Sequence, residues 1–363
     1  MENKIVFLCG ARDFHAMDWY KSAKEEVKSH EVVLLTDLIQ GEGFKKIIDD
    51  TDKVYELLIL DKFLFKKQSK IGHIWRNLLK LMVLPIQVKK LKNFAKQYPN
   101  SKFHAHSMYY LWLGWLAKVD FVGTPQGSDI LLKPNRSKFY RNLADKSMNA
   151  AKAITVDSEN MKKGVKEISG VNAHIIQNGI DLKSIKEKVD TFQNQKRETV
   201  LSIRGFTALY RIEDLVTARN HAKNFYPISF IYPFAEQQYE EVVKLNENDK
   251  KIGRVDRNTM YDILSKTLLV VSIPYSDSSP RSVYESIFCG AAVAITYNAY
   301  YDILPSCMKK RIILIDLEKG NWFEDAIEEA KEITSQTYQP SDEALDMFDQ
   351  RRSFKKVYEL LIK

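Results

Sequence analysis

Short uninterrupted apolar runs recur along the chain, separated by longer stretches in which apolar residues return every three or four positions. The runs at Lys4–Cys9, Glu31–Thr36, Tyr55–Leu60, Phe103–His106, Asp120–Thr124, Ala153–Val156 and His174–Ile176 predict strands. His15–Lys28 and Tyr109–Ala117 predict helices between them. A strand covered on both faces needs apolar residues without alternation, so this β-α-β beginning implies a parallel, doubly wound sheet. Lys183–Glu198 is charged, has Phe192 as its one aromatic residue, and reads as a linker. A second series follows it, with strands from Thr199, at Ile228–Tyr232, at Leu268–Ile273 and at Arg311–Ile315, and helices at Arg257–Ser265 and Asn321–Thr334. Gln339-Pro340-Ser341 interrupts the pattern, and Ser341–Lys363 reads as a terminal helix. The expectation is an α/β protein with domains at 1–184 and 199–340 and a terminal helix at 341–363.

Thr267–Tyr297 carries the densest chemistry: a buried strand ending at Pro274, a polar loop, a short helix and a second buried strand. Ser279 is expected at the N-cap of that helix, Pro280 at its first position, and Gly290 just past its last turn. Asp277 and Glu285 frame the helix start with seven residues between them. Glu285 lies too deep for a capping box, whose acid would stand at Ser282. A loop at the carboxyl end of a parallel strand that opens into a helix N-terminus is suited to an anion. Arg204 is expected at the end of the strand from Thr199, with Tyr210 and Arg211 one short loop later. In the first half, Gly10, His15, His106 and the group Gln126, Gly127, Ser128, Asp129 all fall at or just past strand ends. Taken singly, Asp129 also reads as a turn residue, Arg211 as an arginine bonded to a nearby carbonyl or acid, and His15 as a residue without a part in the chemistry.

Charge changes the picture in one place. The net charge is +8, yet Lys62–Lys118 holds twelve Lys and Arg residues with no Asp or Glu, and the remainder has 43 basic against 47 acidic residues. Phe63, Phe65, Trp75, Leu78, Leu79 and Met82 interleave with those lysines. Two readings fit: a sheet-packed helix with a lysine-rich outer face, or a surface that lies on anionic lipid through Lys62–Lys102. No nucleic-acid-binding motif accompanies the charge, so nucleic acid is not expected as a partner. Gly10 stands alone where a dinucleotide fingerprint needs three glycines, which disfavours a nicotinamide-dependent dehydrogenase. Cys9, Cys289 and Cys307 are widely spaced, and His104 and His106 have no further His or Cys nearby, so no metal site is expected. No signal peptide or membrane-length apolar run is evident, and the expected location is cytoplasmic, peripheral on the inner face of the plasma membrane.

The spacing Asp277-x7-Glu285, followed by SIFCGAAVAIT, resembles the signature of GT-B glycosyltransferases of the retaining family 4 type. FHAHS, TPQGSD, QNGID and the Gly10 loop match it in the same order. The resemblance implies two Rossmann-like doubly wound parallel-sheet domains facing a cleft, with a C-terminal helix crossing back to the N-terminal domain. It implies transfer of a hexosyl or N-acetylhexosaminyl unit from a nucleotide-diphosphate sugar to a glycan or lipid-linked acceptor, without a metal or other cofactor. Asp277, Arg204 and Glu285 would be the catalytic group. The donor would meet Glu285, Asp277, Ser278, Ser279, Arg281, Ser282, Arg204, Arg211, Tyr210 and Gly10, with Glu285 on the ribose and Arg204 on the leaving diphosphate. The acceptor side would hold His15, His106, Gln126, Gly127, Ser128 and Asp129. Two departures stand out: Arg204 is followed by Tyr210 and Arg211 where the family has a lysine, and Gln126 falls near the family's cleft histidine. Epimerases and phosphorylases share this fold, and a non-catalytic binding protein could be built on it.

Overall fold

The computed structural model describes residues 3–12, 14–64, 70–192, 196–277 and 279–363, and at 70–74 and 77 the backbone alone. The chain forms two compact units, Met1–Gly179 with Gln350–Lys363, and Ile180–Asp349.

The first unit is built on a seven-stranded sheet: β1 (Lys4–Leu8), β2 (Glu31–Thr36), β3 (Lys53–Glu56), β4 (Lys102–His106), β5 (Phe121–Thr124), β6 (Ala153–Val156) and β7 (His174–Ile175). Their order is β3-β2-β1-β4-β5-β6-β7, with every pairing parallel. The second unit has β8 (Thr199–Ser202), β9 (Ile228–Ile231), β10 (Lys250–Gly253), β11 (Thr267–Ser272), β12 (Ala292–Ile295) and β13 (Ile312–Leu314). These lie in the order β10-β9-β8-β11-β12-β13, again all parallel. β1, β11 and β12 are buried at every residue, which is why their sequences run apolar without alternation. Each sheet has an apolar cluster on both faces, around Leu8 and Phe7 in the first and around Val270 and Val271 in the second.

In both sheets the winding reverses beside the first strand of the series, between β1 and β4 and between β8 and β11. At such a point the flanking loops diverge and leave a crevice at the carboxyl ends of the strands.

Several expectations are corrected here. The linker at Lys183–Glu198 is in large part a helix, Leu182–Thr191, belonging to the second unit. Asp181 caps it by accepting from the Ser184 amide at 3.1 Å, and Ile185 is buried with Leu182 and Val189 packed half-buried against the same core, so three apolar positions among charges dock it. Arg197 in the same stretch donates to the carbonyls of Leu264, Thr267 and Cys289 and is part of the fold. The terminal helix is two helices, Asp342–Phe348 and Gln350–Ile362, broken where Asp349 turns extended. Phe348 packs on Tyr284 in the second unit, whereas Phe354, Val357 and Leu361 enter the core of the first. The first unit therefore ends at Gly179, short of 184, and resumes at Gln350. The third strand runs Lys53–Glu56 rather than Tyr55–Leu60.

Candidate functional site

In the second unit, β8 delivers Arg204 two residues past its end and β11 delivers Ser272 beside it. Arg204 is buried; its Nε donates to Ser272 Oγ at 2.7 Å and its Nη2 lies 2.9 Å from Asp277 Oδ2. The guanidinium stands over the Tyr210 ring at 5.6 Å. Asp277 is itself held, its amide donating to Asn298 Oδ1 at 3.0 Å. The helix after this loop begins at Arg281, one residue later than expected, with Pro280 at its N-cap. Proline cannot donate, and the amides of Val283 and Tyr284 are taken by the Pro280 carbonyl, so Arg281 and Ser282 present the helix opening to the crevice. Glu285, one turn deeper, is 4 % exposed, and its Oε1 accepts from Tyr261 Oη at 3.0 Å and Arg281 Nε at 3.2 Å. That occupies two of a carboxylate's roughly four acceptor positions.

These residues share a cavity of about 420 Å³, within the range of small-ligand sites. Arg204, Arg254 and Arg281 supply three guanidinium groups, Asp277 and Glu285 two carboxylates, and Ile231, Pro233, Phe234, Val255 and Met260 an apolar side. Gly205 leaves room for the Phe234 ring, which a Cβ at that position would approach within 2.7 Å and push aside. Ser279, Ser282 and Tyr210 also line the cavity; Ser278 lies outside the described residues. Arg211 is engaged elsewhere. Its Nε pairs with Asp214 Oδ2 at 2.6 Å, its guanidinium covers Tyr275 at 4.6 Å, and it is not among the lining residues. The further cations of this cavity are Arg254 and Arg281. Arg254 was missed because it follows an exposed edge strand with no apolar run to announce it.

In the first unit two cavities open at the carboxyl ends of the strands. The larger, about 510 Å³, takes in Gly10, Arg12, Lys80, His106, Tyr109, Trp112, Gln126, Asp129, Lys133 and Arg136. The smaller, about 200 Å³, holds His15, Trp19, Thr124, Gly127, Asp157 and Asn178, and shares His106 and Gln126 with the first. Gly10, expected among the donor groups, thus stands in a first-unit cavity, and Ser128 is exposed and lines neither. Burial pushes the Asp157 carboxyl up, and the nearby His15 opposes that. Asp129 reaches the wall of the larger cavity, but its carboxylate serves the fold. It accepts from the Met108 and Gln126 amides, from Tyr140 Oη, and from Lys133 Nζ at 2.6 Å. His104, two residues before His106, is a core residue with Nε2 at 2.7 Å from Thr124 Oγ1.

Lys80 is the group the sequence concealed. It is 9 % exposed, with Nζ 3.3 Å from Asp37 Oδ2, 3.0 Å from Tyr110 Oη, and above the rings of Tyr109 and Tyr110. Burial lowers its pKa, opposed by the Asp37 charge. Among the described residues no group of three His, Cys, Asp or Glu could hold a metal ion.

Residues 29–184 match the model of Glycosyltransferase Family 4. Over 100 % of both chains the structure is similar to HepE of Anabaena, at 14 % identity and a TM-score of 0.67. The fold is GT-B. The same GT-B likeness extends to sucrose-phosphate synthase of Thermosynechococcus elongatus (13 % identity, 100 % and 99 % of the chains, TM-score 0.63). It extends also to a putative UDP-N-acetylglucosamine 2-epimerase of Listeria monocytogenes (11 % identity, 99 % and 95 %, TM-score 0.62). No curated protein matches the chain. The family 4 match is confined to residues 29–184 of this GT-B fold.

Proposed function

We propose that the chain is a retaining glycosyltransferase that moves a sugar from a nucleoside-diphosphate sugar to an acceptor hydroxyl. The observation that carries this reading is the second-unit cavity, where three arginines, a buried glutamate and an apolar side meet at the sheet's switch point. The apolar side suits a planar base, and Glu285 suits the ribose hydroxyls. Arg204, Arg281 and Arg254 suit the diphosphate, together with the opening of the Arg281–Phe288 helix. HepE was solved with UDP and with UDP-glucose, which supports a uridine nucleotide as the first donor to try.

In this reading the bond from the anomeric carbon to the diphosphate breaks as the acceptor oxygen approaches from the same face. The acceptor's proton passes to the departing phosphate oxygen. Charge grows on the diphosphate, and Arg204, oriented by Ser272 and Asp277, is the fixed group that meets it. Asp277 retains Oδ1 for a donor-sugar hydroxyl. No step requires a metal.

On the acceptor side the helix Lys70–Gln97 supports a substrate presented at an anionic membrane surface. Trp75, Leu78, Leu81, Met82 and Ile86 are exposed along it, with Lys89, Lys90 and Lys92 further along. Among the described residues no helix is long and apolar enough to cross a membrane.

A panel of nucleoside-diphosphate sugars, followed for donor loss with and without acceptor glycans, tests the activity. Arg204→Ala is expected to lower kcat by roughly 10²–10³, and Glu285→Gln to raise the donor KM, both with unchanged circular dichroism. Near-normal turnover in both variants would sink the assignment, and an isomerised donor without acceptor would move it to epimerisation.

A further inference from the structure

The larger cavity of the first unit is more cationic than a neutral sugar calls for. Arg12, Arg76, Lys80, Lys133 and Arg136 line it, against the carboxylates of Asp129 in the wall, 2.6 Å from Lys133, of Asp37 beside Lys80, and of Asp61, 3.9 Å from Arg12. Five cations thus face three carboxylates, and a cavity of that balance draws in an anion. The three arginines come from separate places: the loop after β1, the helix Lys70–Gln97 and the short helix Lys133–Arg136. Planar guanidinium groups converging from several sides match the oxygens of a phosphate better than a single ammonium would. Tyr109, Trp112 and Tyr140 add aromatic surface, with Trp112 and Tyr140 meeting edge to face at 5.3 Å, and the buried Trp112 Nε1 has no hydrogen-bond acceptor among the described residues.

A separate observation concerns what adjoins the cavity. Leu81 lines it and is also 45 % exposed, within the stripe of Trp75, Leu78, Met82 and Ile86 on the same helix. That stripe lies opposite the helix face carrying Gln87, Leu91 and Phe94, which are buried. An apolar track therefore starts at the rim of the cation-lined cavity.

We propose that this cavity receives an amphiphilic acceptor. Its phosphate or diphosphate is held by Arg12, Arg76, Lys133 and Arg136, and its apolar chain leaves over Leu81 along the exposed stripe. The word acceptor rests on the glycosyl-transfer reading; the binding chemistry does not.

The test is calorimetric titration of the full chain carrying Arg204→Ala, so that the second-unit arginine cluster contributes less to anion binding. The probes are farnesyl diphosphate, inorganic pyrophosphate and farnesol. Farnesyl diphosphate is expected to bind at least about tenfold more tightly than pyrophosphate, and farnesol not measurably. Adding Arg136→Ala should weaken both diphosphates about tenfold, the scale of one charge-assisted contact. Adding Leu81→Asp with Met82→Asp should erase the advantage of farnesyl diphosphate and leave pyrophosphate unchanged. Both sites are exposed, and an unchanged first-unit unfolding midpoint in urea checks that these variants fold. Equal binding of farnesol overturns the anion clamp, equal binding of pyrophosphate overturns the apolar track, and no diphosphate binding overturns both. Tight farnesyl diphosphate binding in a protein that consumes no donor would remove the transferase reading and leave this one standing.

Discussion

His104 lies in the core between Phe7 and Trp19, and burial pushes its pKa down from 6.5 to about 3. The folded protein therefore keeps it neutral across a range in which the unfolded chain takes up a proton. More protons bound to the unfolded chain means that stability falls as pH falls from about 6.5 toward 3. Between pH 7 and pH 4.5 the loss attributable to this residue is expected to be about 2–3 kcal/mol. Urea unfolding at the two pH values checks it, and His104→Gln, which keeps a partner for Thr124 but does not titrate, should flatten the difference. Asp129 gives a second expectation. Asp129→Asn should destabilise the first unit by about 1–3 kcal/mol through lost charge-assisted bonds, while pyrophosphate affinity holds or rises because a carboxylate has left the cavity wall. Weaker pyrophosphate binding would count against an anion-selective cavity. Glu285 could be singled out in the sequence because an acid inside an apolar strand-helix-strand unit is costly unless it has partners. Lys80 and Arg254 could not. Their neighbours, Asp37 for the one and the Arg204–Asp277 pair for the other, are brought to them by sheet topology over tens of residues.

Elements divide along the same line. Strands buried on both faces, such as β1 and β11, declare themselves by composition, and the loops they position were legible with them. β10 did not, because an edge strand of sequence KKIG is mostly exposed and carries no apolar run. Leu182–Thr191 was concealed by its charges, since a helix docked by only Leu182, Ile185 and Val189 looks like a solvated tether. What fixes the edge of the second sheet is an ion pair. Arg219, on the helix Ile212–His221, bonds both oxygens of Asp249 at 2.6 and 2.7 Å, and Asp249 also accepts from the Ile228 and Asn246 amides. Burial pushes the Asp249 carboxyl up, but Arg219 and those amides outweigh it and hold the pKa below the usual range. Removing one partner of a buried pair strands the other, so Asp249→Ala is expected to cost about 3–5 kcal/mol. Chemical denaturation of the purified variant measures it, and a change under 1 kcal/mol would mean that water replaces the carboxylate.

At the scale of the molecule, the first unit depends on residues that follow the whole of the second. The helix Gln350–Ile362 buries Phe354, Val357 and Leu361 against the helix Phe14–Glu26 and the sheet. A chain ending at Asp349 should lose several kcal/mol of first-unit stability, at about 1.5–3 kcal/mol for each large apolar side chain uncovered. It should then unfold in two transitions, with the second unit's midpoint retained; a single unshifted transition would show the helix to be dispensable.

Ile180 and Asp349, the first and last residues of the second unit, lie side by side, with the Ile180 amide donating to the Phe348 carbonyl at 2.6 Å. This has a consequence for the order of folding. Closing an unstructured loop over those 170 residues (180–349) would cost on the order of 4 kcal/mol in chain entropy. Once the second unit has folded, its ends are already together, and the terminal helix arrives at the first unit as though joined directly to Gly179. The inserted domain thus acts as a template for completing the one around it. Refolding should be sequential, the six-stranded half first, and a substitution that slows it should delay the seven-stranded half by the same factor.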